Sequence, residues 1–598
     1  MALVSQENGN LVIEKDVMVP MRDGVRLATD VYRPEGSGQW PTVVQRTPYD
    51  KELPTLRNWS FDVLRAAQAG YAVVVQDSRG RFRSEGTFDT FADEAHDGAD
   101  TIDWAASQPW STGAVGMAGG SYFGATQWLA ATQAPQALRA LAPFVTTDQY
   151  YESWAYQGGA FQLGFNLHWA LTSLGFGELL RQIGSGAASP ERVGHLVAAI
   201  DANDELYRRL PLRDVPELDG LAPYYQDWLA HPSYDSFWQA TAPRESFGSI
   251  TAPALNMGGW YDLFLKGTLA NYTGMKQRGG SEQARRQQRL VIGPWAHGPL
   301  SGWYPERSYG LMSGTDAFDL TGLQLAWFDS LLRDPGTGSG VDGPPVLDAV
   351  KPVRLFVMGA NVWRDEDDRP LPDTDYVDYF LHSGGHAATS AGDGRLSTEA
   401  PGSQPDDEFV YDPLDPVPTT GGPTFLPGLF IGANAGPRDQ RAVEQRPDVL
   451  CYTTPALTEP LEVTGPVELV VHLTSSAADT DVTGKLVDVH PDGRAETLCD
   501  GILRARYRTS LAEPELMEPG QVYELRVDLV ATSNVFAAGH RIRLEVSSSN
   551  FPRFDRNTNT GGTIAEETEQ DLRTATNRVH HSADHPSRLI LPVIRRNA

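Results

Sequence analysis

A glycine-rich segment in the first quarter of the chain has the residue types of a catalytic nucleophile on a sharp turn. It runs from Gly119 to Gly124, with Ser121 at its centre, between a predicted buried strand over residues 115–118 and a predicted helix that starts at Tyr122. A serine in such a turn is held in strained backbone geometry, and neighbours with a Cβ would clash. The N-terminus of the following helix favours negative charge that develops beside the serine. We predict a nucleophile elbow with one residue inserted before the last glycine; the alternative is a glycine-rich turn without chemistry.

A base and an acid that could serve Ser121 follow it in the chain. A serine nucleophile needs a general base, and the base needs an acid that orients it. In the α/β-hydrolase order the acid and then the histidine follow the serine, each after a strand. Asp262 follows a predicted strand that ends at Tyr261, and His297 follows one that starts at Arg289. These three side chains are therefore the predicted catalytic residues.

Asp77 is a rival acid, since it also ends a predicted strand. It precedes Ser121 in the chain, which violates the order of the triad. Its alternative role is to accept hydrogen bonds from loop amides, with Arg79 or Arg81 beside it.

The remaining histidines do not follow parallel-strand patterns, and most lie in the β-rich second half. His580, His581 and His585 loosely resemble a metal cluster, but no matching ligands stand nearby in sequence. We predict a solvated tail there and no metal site.

The order of the predicted elements indicates three structural units. Strands and helices alternate in the first part of the chain, which predicts a parallel sheet covered on both faces. Residues 146–245 are rich in aromatic side chains at helical spacing, and beyond residue 352 apolar and polar residues alternate between Gly-, Ser- and Pro-rich loops. We predict an α/β-hydrolase domain over residues 1–145 and 246–351, an inserted helical cap over 146–245, and a jelly-roll β domain over 352–598. Most aromatics of the cap are expected to pack its core.

The charge and the cysteine content exclude several classes of function. The 598 residues include 49 lysines and arginines against 77 aspartates and glutamates, a net charge of −28. Such a chain is not expected to bind nucleic acid or an anionic membrane. No secretory signal or membrane-spanning stretch is evident, and two cysteines give no disulfide framework. We expect a cytoplasmic protein with a small-molecule substrate and no cofactor; a homodimer is compatible with the sequence.

Several further motifs, spread over nearly the whole chain, make the sequence resemble bacterial cocaine esterases and their relatives, which include α-amino acid ester hydrolases, glutaryl acylases and X-prolyl dipeptidyl peptidases. Besides the three segments that contain Ser121, Asp262 and His297, the matching stretches are residues 21–27, 49–51, 76–80, 84–86, 357–364, 531–536 and 547–552. The resemblance implies the same three-part fold.

The resemblance also implies roles for individual residues. Ser121 corresponds to the nucleophile, Asp262 to the orienting acid and His297 to the base, while the Tyr49 hydroxyl and the Tyr122 backbone N–H correspond to the oxyanion hole. Tyr49 is also the one neutral hydroxyl on a rigid ring in the loop after the third predicted strand. The segment after Lys51 is shorter than in the family, so that a glutamine of the cocaine pocket has no counterpart and Trp59 falls nearby. The other implied pocket residues are Trp154, Trp169, Phe264, Leu429 and Phe430.

The leading functional hypothesis is a carboxylesterase that forms an acyl-enzyme on Ser121, with aromatic acyl esters as the substrate class. The same triad would serve an acylase or aminopeptidase-like enzyme that cleaves amides, and a binding protein with an inactive hydrolase domain is the non-enzyme alternative. Leu263, Phe264 and Leu265 stand where the amino-ester relatives carry acidic residues, so we expect no preference for free α-amino acyl groups.

Overall fold

The computed structural model describes residues 10–333, 351–426 and 434–596, and its first large unit is built on a ten-stranded sheet. The strands up to residue 366 are β1 (Leu11–Pro20), β2 (Arg26–Pro34), β3 (Trp40–Thr47), β4 (Ala72–Asp77), β5 (Ser111–Gly120), β6 (Leu138–Phe144), β7 (Tyr156–Gln157), β8 (Ala160–Phe161), β9 (Leu255–Tyr261), β10 (Arg289–Ala296), β11 (Trp303–Tyr304), β12 (Arg307–Ser308), β13 (Val353–Val357) and β14 (Val362–Glu366).

The centre of this sheet is parallel and buried on both faces. Its strand order is β1-β2-β4-β3-β5-β6-β9-β10-β13-β14, and the pairs from β4 to β13 are parallel. Every residue of β4 is buried, and its valines divide between two cores: Val73 and Val75 pack on one face and Val74 on the other. Two-sided burial explains the continuous apolar run of β4. The carboxyl ends of β3, β5, β9 and β10 therefore meet at one edge of the sheet.

Helices cover the sheet, and a separate helical group lies between β6 and β9. The α-helices are α1 (Pro54–Arg57), α2 (Val63–Gln68), α3 (Glu94–Ala106), α4 (Tyr122–Thr132), α5 (Leu163–Trp169), α6 (Phe176–Gly184), α7 (Glu191–Asp201), α8 (Asn203–Arg208), α9 (Tyr224–Ala230), α10 (Ser236–Gln239), α11 (Leu265–Arg278), α12 (Glu282–Arg286), α13 (Thr315–Phe318) and α14 (Leu320–Leu332). A π-helix, Ala170–Gly175, joins α5 to α6.

The segment between β6 and β9, which contains the helices α5 to α10, is the inserted cap. Its aromatic side chains form much of one continuous core, as expected from their helical spacing; Trp169, for example, stacks on Trp228 with ring centroids 5.7 Å apart.

The C-terminal unit is all-β and mostly antiparallel. Its eleven strands are β15 (Thr374–His382), β16 (Arg395–Ser397), β17 (Asp407–Tyr411), β18 (Leu450–Thr453), β19 (Leu461–Ser475), β20 (Asp481–Val489), β21 (Ala495–Arg504), β22 (Tyr523–Phe536), β23 (Arg541–Ser547), β24 (Ala575–His580) and β25 (Arg588–Ile594). Short 3₁₀ turns occur at Pro216–Leu218, Pro243–Ser249, Leu311–Ser313, Val443–Gln445, Ala505–Tyr507, Ile564–Glu566 and Glu569–Asp571.

The predicted fold class is thus confirmed. The hairpin β13–β14, however, follows the domain boundary predicted at residue 352 and still belongs to the first sheet. β13 pairs in parallel with β10, Leu290 opposite Val353, so this hairpin completes the first sheet. The alternating pattern of residues 353–366 fits an edge hairpin of either sheet, and sequence periodicity does not identify the partner strand.

Both cysteines, Cys451 and Cys499, are free and buried in the β domain. Within the described parts of the chain, no helix has both the length and the apolar character needed to cross a bilayer.

Candidate active site

Ser121 lies on a strained turn between β5 and α4. Its backbone has φ 59° and ψ −124°, a conformation that costs a non-glycine residue about 1–3 kcal/mol. Two glycines make the turn sterically feasible. Gly119 has φ +130°, and a Cβ there would lie 2.5 Å from the Cβ of Phe123; a Cβ on Gly124 would lie 2.8 Å from the Thr146 side chain. The turn thus presents the Ser121 hydroxyl at the edge of the sheet.

Asp262 and His297 follow β9 and β10 and meet Ser121 in a continuous hydrogen-bonded chain. His297 Nε2 lies 3.0 Å from Ser121 Oγ, and His297 Nδ1 lies 2.7 Å from Asp262 Oδ2. The second carboxylate oxygen of Asp262 accepts the Phe264 backbone N–H at 2.7 Å. Asp262 and His297 are buried, 1% and 6% exposed, which keeps the pair shielded from water. This is the geometry of a serine nucleophile, its base and an orienting acid.

Tyr49 follows β3 and reaches the same edge of the sheet. Its hydroxyl accepts a hydrogen bond from the Trp169 indole at 3.0 Å and also contacts the side chain of Ser121. Burial raises the pKa of the Tyr49 phenol, and these two contacts offset only part of the rise. The phenol therefore stays protonated and can donate a hydrogen bond. The Tyr122 backbone N–H occupies the first position of α4, where an amide has no partner within the helix.

The loop that carries Tyr49 is fixed by two side chains, one at the end of β4 and one from the loop that follows it. Asp77 accepts the Lys51 backbone N–H at 2.7 Å, and Arg81 Nε donates to the Pro48 carbonyl at 2.9 Å. Asp77 therefore accepts a hydrogen bond from a loop amide, which is the alternative role predicted for it. Arg79, in contrast, forms its hydrogen bonds with Asp97 and Asp23.

A cavity of about 390 Å³ opens onto Ser121 and His297. Of the predicted pocket residues, Trp59 and Trp169 line it. Trp154 and Phe264 lie behind its wall as a stacked pair with ring centroids 4.3 Å apart, and the Phe264 ring stands edge-on to the His297 imidazole at 4.9 Å. Leu429 and Phe430 lie outside the described residues. The full described lining is Tyr49, Thr55, Trp59, Gly120, Ser121, Phe123, Phe165, Trp169, Ser173, His297, Gly298 and Phe425.

Several lining residues were missed from the sequence. Phe123 and Gly298 lie within two residues of Ser121 and His297 in the chain, and this proximity could have identified them as lining residues. Phe425 belongs to the β domain, and its ring centroid lies 5.4 Å from that of His297. Nothing local in the sequence around Phe425 indicates a contact with a residue more than a hundred positions away.

The C-terminal histidines were predicted to lie in a solvated tail, but they are packed in the β domain. His581 is fully buried and lies 2.9 Å from Asp407, and His580 lies 2.9 Å from Asp406. They are structural partners of the strands β17 and β24. The prediction was wrong because β24, which pairs with β17 and β19, looks in sequence like any polar C-terminal segment.

A second cluster, Asp488, His490 and His540, has ligand-type atoms within 4.8 Å of one another in the β domain. Its polar atoms are already paired: His540 with Asp488 at 2.8 Å, and His490 with Arg494 at 3.1 Å. The Arg494 cation disfavours a metal ion at this point.

Both parts of the chain match models of known protein families. The family model of the X-Pro dipeptidyl-peptidase (S15) family matches residues 23–299, and that of the X-Pro dipeptidyl-peptidase C-terminal non-catalytic domain matches residues 346–590. The cocaine esterase of Rhodococcus sp. is 43% identical over 98% of this chain and 100% of its own length.

Two solved structures share the whole architecture. An aminopeptidase from a marine-sediment Thaumarchaeota archaeon superposes with a TM-score of 0.80 at 28% identity and covers 98% of this chain and 97% of its own. An α-amino acid ester hydrolase superposes with a TM-score of 0.77 at 26% identity and covers 99% and 98%. The chain is therefore a hydrolase that belongs to the cocaine esterase family, within the wider X-Pro dipeptidyl-peptidase (S15) group.

Proposed function

We propose that the protein is a serine carboxylesterase that hydrolyses esters of aromatic acids through an acyl-enzyme on Ser121. The observation that carries this proposal is the hydrogen-bonded chain Ser121–His297–Asp262 at the mouth of a cavity lined by aromatic rings.

In the first half of the reaction, Ser121 Oγ attacks the ester carbonyl carbon while its proton passes to His297 Nε2. Asp262 holds the His297 Nδ1–H and stabilises the imidazolium that forms. The carbonyl oxygen becomes an alkoxide between the Tyr49 hydroxyl and the Tyr122 N–H. Collapse of this intermediate breaks the ester C–O bond, and His297 returns the proton to the leaving alcohol.

In the second half, water attacks the acyl-enzyme. His297 takes a proton from the water, the same two donors hold the second alkoxide, and the proton goes back to Ser121 Oγ as the carboxylic acid leaves. The chain needs no added group for any of these steps.

The cavity favours an apolar, planar acyl group. Four aromatic side chains, Trp59, Phe123, Phe165 and Trp169, stand on its wall together with Phe425. No aspartate or glutamate is among the described lining residues, so a cationic amine would be desolvated there without a counter-ion. Leu263, Phe264 and Leu265, directly after the catalytic acid, are all buried and apolar.

Amide cleavage is the second candidate, since the family model and one solved relative are named for peptidases. The same triad would suffice, but amide cleavage depends more strongly on protonation of the leaving amine by His297 than ester cleavage depends on protonation of the alcohol.

A matched substrate set tests both proposals. We expect kcat/KM for phenylacetate and benzoate methyl esters to exceed that for phenylglycine methyl ester by about tenfold or more, because burial of an unpaired ammonium costs well over 1 kcal/mol. We expect ester turnover to exceed turnover of the anilide with the same acyl group. A strong preference for phenylglycine methyl ester, or anilide turnover equal to ester turnover, would contradict the respective part.

We also propose that the substrate is a small molecule. We further propose a cytoplasmic location, which the free, buried cysteines support. Cell fractionation tests the location, and light scattering of the purified protein distinguishes a monomer from a homodimer.

A further inference from the structure

The hydroxyl of Tyr49 receives a hydrogen bond from a residue of the cap. The Trp169 indole Nε1 lies 3.0 Å from Tyr49 Oη. An indole N–H can only donate, whereas a phenol has one proton and accepts with its lone pairs. Tyr49 must therefore be the acceptor in this bond, and its own proton is left to point elsewhere. Ser121, whose side chain also contacts Tyr49, carries an oxygen that can accept this proton.

The cap holds Trp169 in place. Trp169 is the last residue of α5, only 3% exposed, and it stacks on Phe165 with an interplanar angle of 12° and on Trp228 with one of 3°. The π-helix Ala170–Gly175 follows directly, and single turns of this kind recur at functional sites.

A second contact ties the same two segments together. Arg81 is 2% exposed; its Nε donates to the Pro48 carbonyl and its Nη2 donates to the Leu174 carbonyl in the π-helix at 3.2 Å. No carboxylate of the described residues pairs with this guanidinium, so it serves the two carbonyls. The residue before Tyr49 and the turn after Trp169 are thereby joined through one planar guanidinium group.

We propose that Trp169 is a positioning residue for catalysis: its indole N–H orients the Tyr49 hydroxyl toward the oxyanion, a role that rests on the oxyanion function proposed for Tyr49. Donation into the phenol oxygen also polarises the O–H bond, which strengthens the hydrogen bond that the phenol donates. The cap then contributes to the chemical step as well as to the wall of the cavity.

A double-mutant cycle tests this. Trp169→Phe keeps an aromatic ring and removes the N–H. We expect kcat for a benzoate ester to fall about tenfold, the effect of one neutral hydrogen bond, with KM changed less than about threefold. In a Tyr49→Phe background the same substitution should lower kcat less than about twofold, because the hydroxyl on which Trp169 acts is already gone.

A role of Trp169 only in the cavity wall gives a different result. KM would then rise, and the factor lost would be equal with Tyr49 or Phe at position 49; either outcome overturns the proposal. Trp238→Phe is the matched control: it makes the same chemical change on a buried cap tryptophan whose indole N–H donates to the His231 carbonyl at 2.8 Å, and its kcat should stay within about twofold of the wild type. Replacement of Trp169 by 3-benzothienylalanine, in which sulfur takes the place of the N–H, gives the same readout should Trp169→Phe fail to fold.

Failure of this proposal is distinguishable from failure of the proposed function. A wild-type enzyme without ester turnover rejects the esterase, and a Tyr49→Phe variant with full kcat rejects the oxyanion role. Additive losses in the cycle, with both single variants impaired, reject the positioning role alone.

Discussion

At the scale of single residues, the proposed catalytic side chains form one short hydrogen-bonded chain. Ser121, His297 and Asp262 come from three separate loops, yet their contacts are 3.0 and 2.7 Å long. Sequence predicted all three because each directly follows a strand of the parallel sheet, and the carboxyl ends of such strands meet at one edge.

Removal of either reacting side chain should abolish useful turnover. We expect Ser121→Ala and His297→Ala each to lower kcat by about 10³-fold or more, since nucleophile and base act as a unit. The measurement is steady-state hydrolysis of a benzoate ester by variants with wild-type melting temperatures. A His297→Ala enzyme with ordinary activity and no added base would show that another group is the base.

The hydroxyl of Tyr49 should affect the rate more than substrate binding. Tyr49→Phe keeps the ring and removes one of two proposed oxyanion donors, so we expect kcat to fall about 10²–10³-fold with a smaller change in KM. The same kinetic comparison measures it, and near-normal kcat would point to a second backbone N–H in place of the phenol.

At the scale of elements, the turn after β3 is stabilised by its neighbour β4. Asp77, the last residue of β4, is fully buried and accepts the Lys51 N–H, while its other carboxylate oxygen has no hydrogen-bond partner among the described residues. Burial raises the pKa of Asp77 to about 7, and the Lys51 contacts offset part of the rise. The sequence placed Asp77 at a strand end, but the choice between acid and anchor depended on which loop packs opposite.

Asp77 should give the protein a distinctive pH dependence. The folded protein keeps this proton up to about pH 7, whereas an unfolded aspartate loses it near pH 4. This contribution to the free energy of unfolding is therefore complete below pH 4, falls as pH rises between 4 and 7, and is lost above pH 7. Asp77→Asn keeps an oxygen acceptor for the Lys51 amide and does not titrate.

Urea unfolding of both proteins between pH 4.5 and 8 measures the effect. The stability of the wild type relative to Asp77→Asn should decrease by up to a few kcal/mol over this range, since one pKa unit corresponds to about 1.4 kcal/mol. A difference that is constant or grows with pH would mean that Asp77 is ionised in the folded state throughout.

At the scale of the whole molecule, all three units contribute to the site or to its support. Lys266 of α11 binds Glu152 of the cap at 2.7 Å and Asp528 of the β domain at 2.9 Å. Phe425 brings the β domain to His297, and Trp169 brings the cap to Tyr49. These contacts join residues distant in sequence, which is why periodicity predicted the units and not how they meet. The hairpin β13–β14 was placed in the wrong unit for the same reason.

The contribution of the β domain to substrate binding can be measured by substitution of Phe425, which lines the cavity. Phe425→Ala removes a ring from the cavity wall, and we expect KM for a benzoate ester to rise about five- to tenfold, the loss of one aromatic contact of about 1–1.5 kcal/mol. Phe425→Leu, which keeps apolar volume, should recover part of the affinity. Unchanged KM in Phe425→Ala would place the acyl group elsewhere in the cavity.

Covalent labelling with a fluorophosphonate, followed by peptide mapping, tests whether Ser121 is the nucleophile that forms the acyl-enzyme. The reagent reacts with a serine only when an adjacent base activates it. We expect one adduct per chain, on Ser121, that forms in step with the loss of ester hydrolysis and is absent from Ser121→Ala. An adduct on another residue that accompanies the loss of activity, or a Ser121→Ala protein that is still labelled and active, would contradict it.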